Sequence, residues 1–199
     1  MTETDVSVKT KQEKRMSQRY LGTPDLILTG ILSALWIILQ LTIGPLGFAL
    51  FQLPIFCDVA AYSTLLLAVW IFGKFGGASL VGVIGSMVTL FLRPGAFQIL
   101  AFAASAVLFD VLCLAIRHKA FTRPVNIVAV SAITIISAYF AGAVTGSVFM
   151  TTLPNWSLNW ALTYWAGLHV AGGILSLLIT LPVVGALERA NVRRLIYRG

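Results

Sequence analysis

The stretch LILTGILSALWIILQLTI, residues 26–43, decides the fold of this chain. It contains no Asp, Glu, Lys or Arg, and its few polar residues are scattered among Leu, Ile, Ala and Trp. A helix needs about 20 mostly apolar residues to cross the hydrocarbon layer of a bilayer. The stretch therefore predicts a membrane-spanning helix.

The composition of the whole chain agrees with that prediction. Of its 199 residues 58% are apolar and only 11% are charged, and the mean hydropathy is +0.92. A soluble domain carries roughly 25% charged residues, and a chain this short cannot hide so much apolar surface in one core. We therefore expect an integral membrane protein.

Five further apolar stretches follow the first, and clusters of Pro and Gly, which disfavour helix continuation, separate most of them. The six predicted spans are residues 26–43, 53–72, 78–92, 96–116, 125–150 and 160–187. The sequence thus predicts an all-α, polytopic protein with three parts. Residues 1–25 form a basic cytoplasmic tail, residues 26–188 a six-helix transmembrane domain, and residues 189–199 a basic cytoplasmic C-terminal end.

The orientation follows from the Lys and Arg residues, because loops retained in the cytoplasm are rich in positive charge. With six spans, 13 of the 14 basic residues fall on one side, and only Arg93 falls on the other. The 13 are Lys9, Lys11, Lys14, Arg15, Arg19, Lys74, Arg117, Lys119, Arg123, Arg189, Arg193, Arg194 and Arg198. We expect a multi-pass protein of the cell membrane with both termini in the cytoplasm.

Several classes of chemistry lack their sequence motifs. The chain has no G-x-x-x-x-G-K-[ST] nucleotide loop and no G-x-S-x-G nucleophile elbow. His118 and His169 lie far apart without a metal-ligand companion, and Cys57 and Cys113 sit singly in apolar spans. We therefore expect no enzyme, no metal and no cofactor. Because basic residues flank the spans, the net charge of +7 indicates contact with the lipid bilayer and no nucleic acid.

Two acidic residues lie inside predicted spans, where an ionisable group is costly unless it is paired or hydrated. Asp58, about 8 Å below the outer surface at about 1.5 Å per residue, is a candidate ligand for a cationic or amino group. A structural hydrogen bond is the alternative for this residue. For Asp110 we expect pairing with a basic residue or a polar contact between helices.

The sixth span supplies the other candidate ligand groups. Trp165 and His169 share one helix face with the small residues Gly172, Gly173 and Ser176. Aromatic rings beside a few hydrogen-bonding groups are typical of sites for flat heterocycles. The further candidates at the same outer level are Gln98, Trp156, Asn159 and Tyr164. A headgroup-level aromatic belt is the alternative for the tryptophans.

Small residues recur at every fourth position in two spans and allow close approach of another helix. The fifth span contains Ala138, Gly142 and Gly146, and packing within the chain is one explanation for them. In the first span, Gly30 and Ala34, with Ser33 beside them, are equally suited to receive a helix of another subunit.

These features together resemble one family. Six spans in about 200 residues, cytoplasmic termini, a small-residue stripe in the first helix and no ATP site are similar to the substrate-binding S component of energy-coupling factor (ECF) vitamin transporters. The segment KFGGA at residues 74–78 resembles the family's turn into its third helix. The segment AIRHKAF at residues 115–121, with Pro124 after it and Asp110 before it, resembles the exit from the fourth helix.

The resemblance is nearest to the S components for thiamine or its hydroxymethylpyrimidine precursor. It implies a protein that captures a vitamin at its outer side and then docks on a transmembrane T component powered by two cytoplasmic ATPase subunits. It also implies that Gly30, Ser33 and Ala34 face the T component. The alternatives are a non-catalytic membrane scaffold subunit and a self-sufficient carrier or membrane enzyme that uses Asp58 and Asp110.

Overall fold

The described residues fold into a bundle of six long helices. The computed structural model describes residues 22–116, 120–121 and 123–196. The helices are α1 Thr23–Phe51, α2 Ile55–Phe72, α3 Gly77–Leu92, α4 Ile99–Ile116, α5 Pro124–Phe149 and α6 Leu158–Arg189, followed by a short α7, Val192–Ile196. Five of the six are long and apolar enough to cross a membrane, while α3 has 16 residues. Every regular element in these ranges is helical, which confirms the all-α, multi-pass membrane architecture.

Helix α2 lies at the centre of the bundle. It packs against α1, α3 and α6, while α4 lies between α3 and α5, and α5 packs on α6. In α2, 67% of the most apolar window is buried, whereas in α1 the share is 28%. Trp36, Tyr62, Leu66 and Phe109 are among the largest buried side chains of the core. Helix α1 is therefore a peripheral helix that presents much of its surface to its surroundings.

Helix α1 is longer than the sequence predicts. The Gly and Pro residues after position 43 were expected to end it, but the helix continues through Pro45 to Phe51. Gly44 and Gly47 serve packing instead, since a Cβ on Gly47 would lie 2.3 Å from the Phe56 ring and one on Gly44 would lie 3.1 Å from Cys57 Sγ. Proline inside a membrane helix is tolerated where neighbouring groups satisfy the freed backbone. The predicted end of this span was therefore wrong.

The turn between α2 and α3 confirms the predicted break at residues 73–77. Gly73 and Gly76 both have positive φ, 57° and 96°, a conformation that glycine adopts without a steric cost. Asp110 of α4 reaches this turn: its Oδ2 accepts hydrogen bonds from Gly76 N at 2.9 Å, Ser79 N at 3.0 Å and Ser79 Oγ at 2.8 Å. A carboxylate at a helix N-terminus satisfies free N–H groups and complements the helix dipole. Asp110 thus makes a polar contact between helices, one of the two roles that the sequence left open.

Two more acidic side chains are bound at the same end of the bundle. Asp25 Oδ2 lies 2.9 Å from Lys74 Nζ and accepts a hydrogen bond from Gly22 N at 2.8 Å. Trp70 Nε1 donates to Glu188 Oε1 at 3.1 Å. This end, which we call the basic end, also carries Lys74, Arg123, Arg189 and Arg193. Arg93 lies at the opposite end, so the described basic residues separate as the sequence predicts.

Replacing Asp110 tests how far the bundle depends on this link between α3 and α4. We expect Asp110→Ala to lower the free energy of unfolding by about 2–4 kcal/mol, because three buried or half-buried donors lose their acceptor. Thermal unfolding of the purified protein in detergent measures the loss. Asp110→Asn keeps one side-chain acceptor oxygen and should lose less. Equal stability of both variants and the wild type would contradict this role.

Candidate functional site

A cavity of about 570 Å³ lies at the end of the bundle opposite the basic end. All six long helices contribute to its wall, at the level where α1, α3 and α5 end and α2, α4 and α6 begin. Small-molecule sites commonly have volumes of roughly 300–1,000 Å³. The lining residues are Gln40, Gly44, Pro45, Phe48, Ala49, Pro54, Cys57, Thr89, Arg93, Ala96, Gln98, Ile99, Phe102, Thr145, Phe149, Met150, Trp165 and His169. The cavity therefore has the size of a site for a small ligand.

A buried pair of ionisable residues lies at the inner wall of this cavity. His169 Nδ1 is 2.9 Å from Asp58 Oδ1, and the two side chains are 1% and 0% exposed. When Asp58 is ionised, Nδ1 donates to it, and Nε2 of the neutral ring is left as an acceptor. A carboxylate that holds one ring nitrogen also fixes the orientation of the imidazole. Asp58 thus positions His169, and His169 lines the cavity.

Glycines bring the two partners of this pair together. A Cβ on Gly172 of α6 would lie 2.5 Å from Asp58 Cβ, so α6 can approach α2 this closely only with glycine there. On the other side of α6, a Cβ on Gly142 of α5 would lie 2.8 Å from His169 Cβ. Gly173 makes room in the same way for Ala138 of α5, at 2.9 Å. The small residues of the fifth span therefore pack within this chain.

Aromatic rings surround His169. Its ring centroid is 5.7 Å from that of Phe102 and 5.9 Å from that of Trp165, and Trp165 stacks on Trp160 at 5.4 Å. Phe48 and Phe149 also line the cavity. Aromatic pairs at these distances attract one another, and their faces offer flat apolar surface. The wall is suited to a planar ring.

Three buried polar atoms of lining residues have no hydrogen-bond partner among the described residues: Trp165 Nε1, His169 Nε2 and Thr145 Oγ1. Such atoms are rare in folded proteins, because burial without a partner costs about 1–3 kcal/mol. Other atoms in the described ranges share this state away from the cavity, Trp36 Nε1 and Ser86 Oγ among them. The three atoms named first belong to cavity-lining residues of α5 and α6, and Asp58 Oδ2, on the residue bound to His169, is in the same state.

Two π-helical turns shape the same wall. They comprise Thr145–Phe149 at the end of α5 and Ala161–Trp165 near the start of α6. Gly146 allows the turns to meet, since a Cβ there would lie 3.0 Å from Ala161 Cβ and from Trp165 Cδ1. Isolated π-turns inside α-helices occur frequently at functional sites. Both turns contribute lining residues, so the local irregularity of α5 and α6 coincides with the cavity.

The structure separates the seven predicted ligand residues into two groups. Gln98, Trp165 and His169 line the cavity, and Asp58 lies behind His169 rather than on the wall. The other three are Trp156, Asn159 and Tyr164, and none of them is a lining residue.

The three residues outside the wall have other surroundings. Trp156 Nε1 donates to the Gly146 carbonyl at 2.9 Å, Tyr164 is 55% exposed beside Trp160, and Asn159 is exposed. Asp58, predicted as a ligand group, contacts His169 and is not a lining residue of the cavity.

Some lining residues were not predicted as ligands. Gln40 is a polar residue deep in the first span, and its Nε2 donates to the Cys57 carbonyl at 3.0 Å. Arg93 entered the sequence prediction only through the orientation of the spans. It is the single basic residue predicted on its side of the membrane, and this isolation was a signal for a site. Thr145 and Phe102 carried no signal in the sequence, because their positions depend on the π-turn of α5 and on the packing of α4.

The predicted docking residues of α1 do not share one surface. Gly30 and Ala34 are exposed, and a Cβ on Gly30 would meet no atom within 4 Å. Ser33 is buried, with its Oγ 3.5 Å from the Val81 carbonyl oxygen of α3. The exposed part of this stripe therefore consists of Gly30 and Ala34, with Ile27 and Ile31 beside them.

Fold and site together describe an all-α, multi-pass membrane protein with a ligand-sized cavity at one end. No protein-family model matches the chain, and no curated protein or solved structure shows significant similarity to it. The chemistry of the cavity wall is therefore the main guide to function.

Replacing Gly172 tests the close approach that forms the Asp58–His169 pair. We expect Gly172→Ala to lower the melting temperature by roughly 2–8 °C, because overpacking costs more than the gain in helix propensity. Gly185→Ala is the matched control on the same helix, since a Cβ there meets no atom within 4 Å. It should leave the melting temperature unchanged or raise it slightly. Identical behaviour of the two variants would contradict the packing described here.

Proposed function

We propose that this chain is the substrate-binding subunit of an energy-coupling factor vitamin transporter, which takes up a small heterocyclic vitamin or precursor. Thiamine and hydroxymethylpyrimidine are the ligands that the sequence resemblance favours. One observation carries the binding function: a ring-lined cavity of about 570 Å³ in which Trp165 Nε1, His169 Nε2 and Thr145 Oγ1 lack partners among the described residues. A flat heterocycle with donor and acceptor atoms supplies the missing hydrogen bonds.

The charge distribution supports an outward-facing cavity in the cell membrane. The basic end lies opposite the cavity, and retained cytoplasmic ends of membrane proteins are rich in Lys and Arg. With the basic end in the cytoplasm, both chain termini lie there and the cavity receives its ligand from outside. Closure over the ligand excludes water and strengthens the polar contacts, because the local dielectric constant falls.

Transport in this proposal depends on partners. The chain has no nucleotide-binding loop, so a transmembrane T component and two cytoplasmic ATPase subunits supply the energy. The exposed Gly30 and Ala34 on α1 are the proposed contact with the T component, because small residues let another helix approach closely.

One observation favours a second candidate, a self-sufficient proton-coupled carrier. The buried Asp58–His169 pair is of the kind that forms proton relays in pumps and transporters. The isolated chain in proteoliposomes decides between the two. Accumulation of ligand that a protonophore abolishes would establish the carrier, whereas binding without accumulation supports the subunit.

Ligand binding is tested by tryptophan fluorescence of the purified protein with thiamine, hydroxymethylpyrimidine and a panel of other flat heterocycles. We expect at least one of them to bind at micromolar concentration or below. Trp165→Phe keeps a ring but removes the Nε1 donor, so the affinity should fall about three- to tenfold. The matched control is Tyr164→Phe, which removes an exposed hydroxyl next to it in the chain. Loss of affinity in both variants alike, or no binding of any compound, would count against the proposal.

Docking is tested separately with a bulky side chain on α1. We expect Ala34→Trp to abolish co-purification with the T component and the ATPases while ligand binding remains, because the ring fills the space a partner helix needs. Val128→Trp on α5 is the control, since Val128 is 69% exposed on another helix. Retention of the complex by Ala34→Trp would exclude this face as the contact.

A further inference from the structure

We propose that the ligand of the cavity is a flat ring that carries an acidic group, a carboxylate or a phosphate, and that Arg93 binds this group. The inference rests on the proposed binding of a small heterocycle and narrows it to compounds with an acidic group. Thiamine and hydroxymethylpyrimidine carry no such group, so the inference ranks them below acidic members of the same class.

The charged residues of the described chain are distributed unequally around the cavity. Arg93 and Asp58 are the only ones in the half of the bundle that holds it. The charged residues with described side chains at the basic end are Asp25, Lys74, Asp110, Arg123, Glu188, Arg189 and Arg193. Arg93 lines the cavity, whereas Asp58 is fully buried behind it and bound to His169. A ligand therefore meets one permanent positive charge on the wall and no carboxylate.

Arg93 is available to a ligand. It is the residue that follows α3, it is exposed, and it forms no ion pair with any residue in the described part of the chain. A guanidinium presents several N–H donors in one plane, a geometry that matches a carboxylate or a phosphate with two parallel hydrogen bonds. An amino or cationic group placed there would instead be repelled or left without an acceptor.

The remaining wall places the ring of such a ligand. The exposed Arg93 and the half-buried Gln98 lie at the rim, and the buried His169 and Trp165 lie at the inner wall. In this proposal the ring of the compound lies against Trp165 and Phe102, whose ring centroids are 5.9 and 5.7 Å from that of His169. Its acidic group then points toward the rim, where the guanidinium is. The rim thus carries a positive charge and the inner wall carries aromatic rings, so the matching ligand has an acidic group at one end and a ring at the other.

Arg93 has one competing explanation within the bundle. A basic residue at the C-terminal end of a membrane helix also compensates the helix dipole and reaches lipid phosphates. In that case Arg93 would affect membrane insertion and not the choice of ligand. A preference of the protein for the acidic member of two otherwise similar compounds distinguishes ligand binding by Arg93 from a role in membrane insertion.

The test uses matched pairs of probes on the full-length protein in phosphatidylcholine vesicles, which lack anionic lipid. Nicotinate and nicotinamide share a ring and differ in carboxylate against amide; thiamine monophosphate and thiamine differ by a phosphate. Titration calorimetry should show that the acidic member of at least one pair binds roughly tenfold or more tightly. The pair with the larger preference identifies a carboxylate or a phosphate as the group bound.

Two variants then test the residue. Arg93→Gln should abolish the preference, Arg93→Lys should retain part of it, and Arg123→Gln at the basic end should leave it unchanged. Equal or tighter binding of the neutral members, or a preference that survives in Arg93→Gln, would overturn the inference and leave the binding function standing. If neither these probes nor any compound of the wider heterocycle panel binds the protein, the proposed function fails and the inference fails with it.

Discussion

The contact between His169 and Asp58 is the constraint on which the rest of this bundle depends. Neither side chain is tolerable alone in an apolar interior, because an unpaired buried charge costs several kcal/mol. Their 2.9 Å contact joins α6 to α2, the most enclosed helix. Gly142 and Gly172 lie beside the pair, and a Cβ at either position would prevent α5 and α2 from approaching α6 this closely. The orientation of the imidazole, and with it the inner wall of the cavity, follows from that packing.

The acidic residues at the other end have a different task. Asp25, Asp110 and Glu188 each hold an N–H group or a cation where one helix meets another, at the level of the turn that links α2 and α3. Carboxylate contacts thus fix the basic end of the described bundle. At the cavity end, close packing acts together with the Asp58–His169 pair and with hydrogen bonds from Gln40 and Trp156 to backbone carbonyls. The division leaves the cavity wall with atoms that have no partner in the described chain. Buried polar atoms without a protein partner are tolerated in a site where a ligand or water forms the missing hydrogen bonds.

Much of the fold was predictable because hydrophobic length and Pro–Gly breaks are local signals. The number of long helices in the described residues and the break at residues 73–77 follow from such signals. The end of α1 did not, because Gly44 and Gly47 act through their contacts with α2, which the sequence of α1 alone does not contain. Of the site, Gln98, Trp165 and His169 were found from spacing and depth, whereas Thr145 and Phe102 required knowledge of how α4 and α5 face the cavity. Trp156, Asn159 and Tyr164 shared the predicted depth but not the predicted direction.

The two π-turns have a broader consequence. A π-turn contains one residue more than an α-turn, so side chains before and after it are out of helical phase by about 100°. Residues before the π-turn that contains Trp165 therefore do not share a face with His169 at the usual spacing of three or four residues. Insertion or deletion of one residue at either turn rotates the side chains on one side of the turn by about 100° relative to the cavity. The helix on the other side of the turn keeps its packing. Such a scaffold can acquire a new specificity through changes in length, without replacing the residues that hold the bundle together.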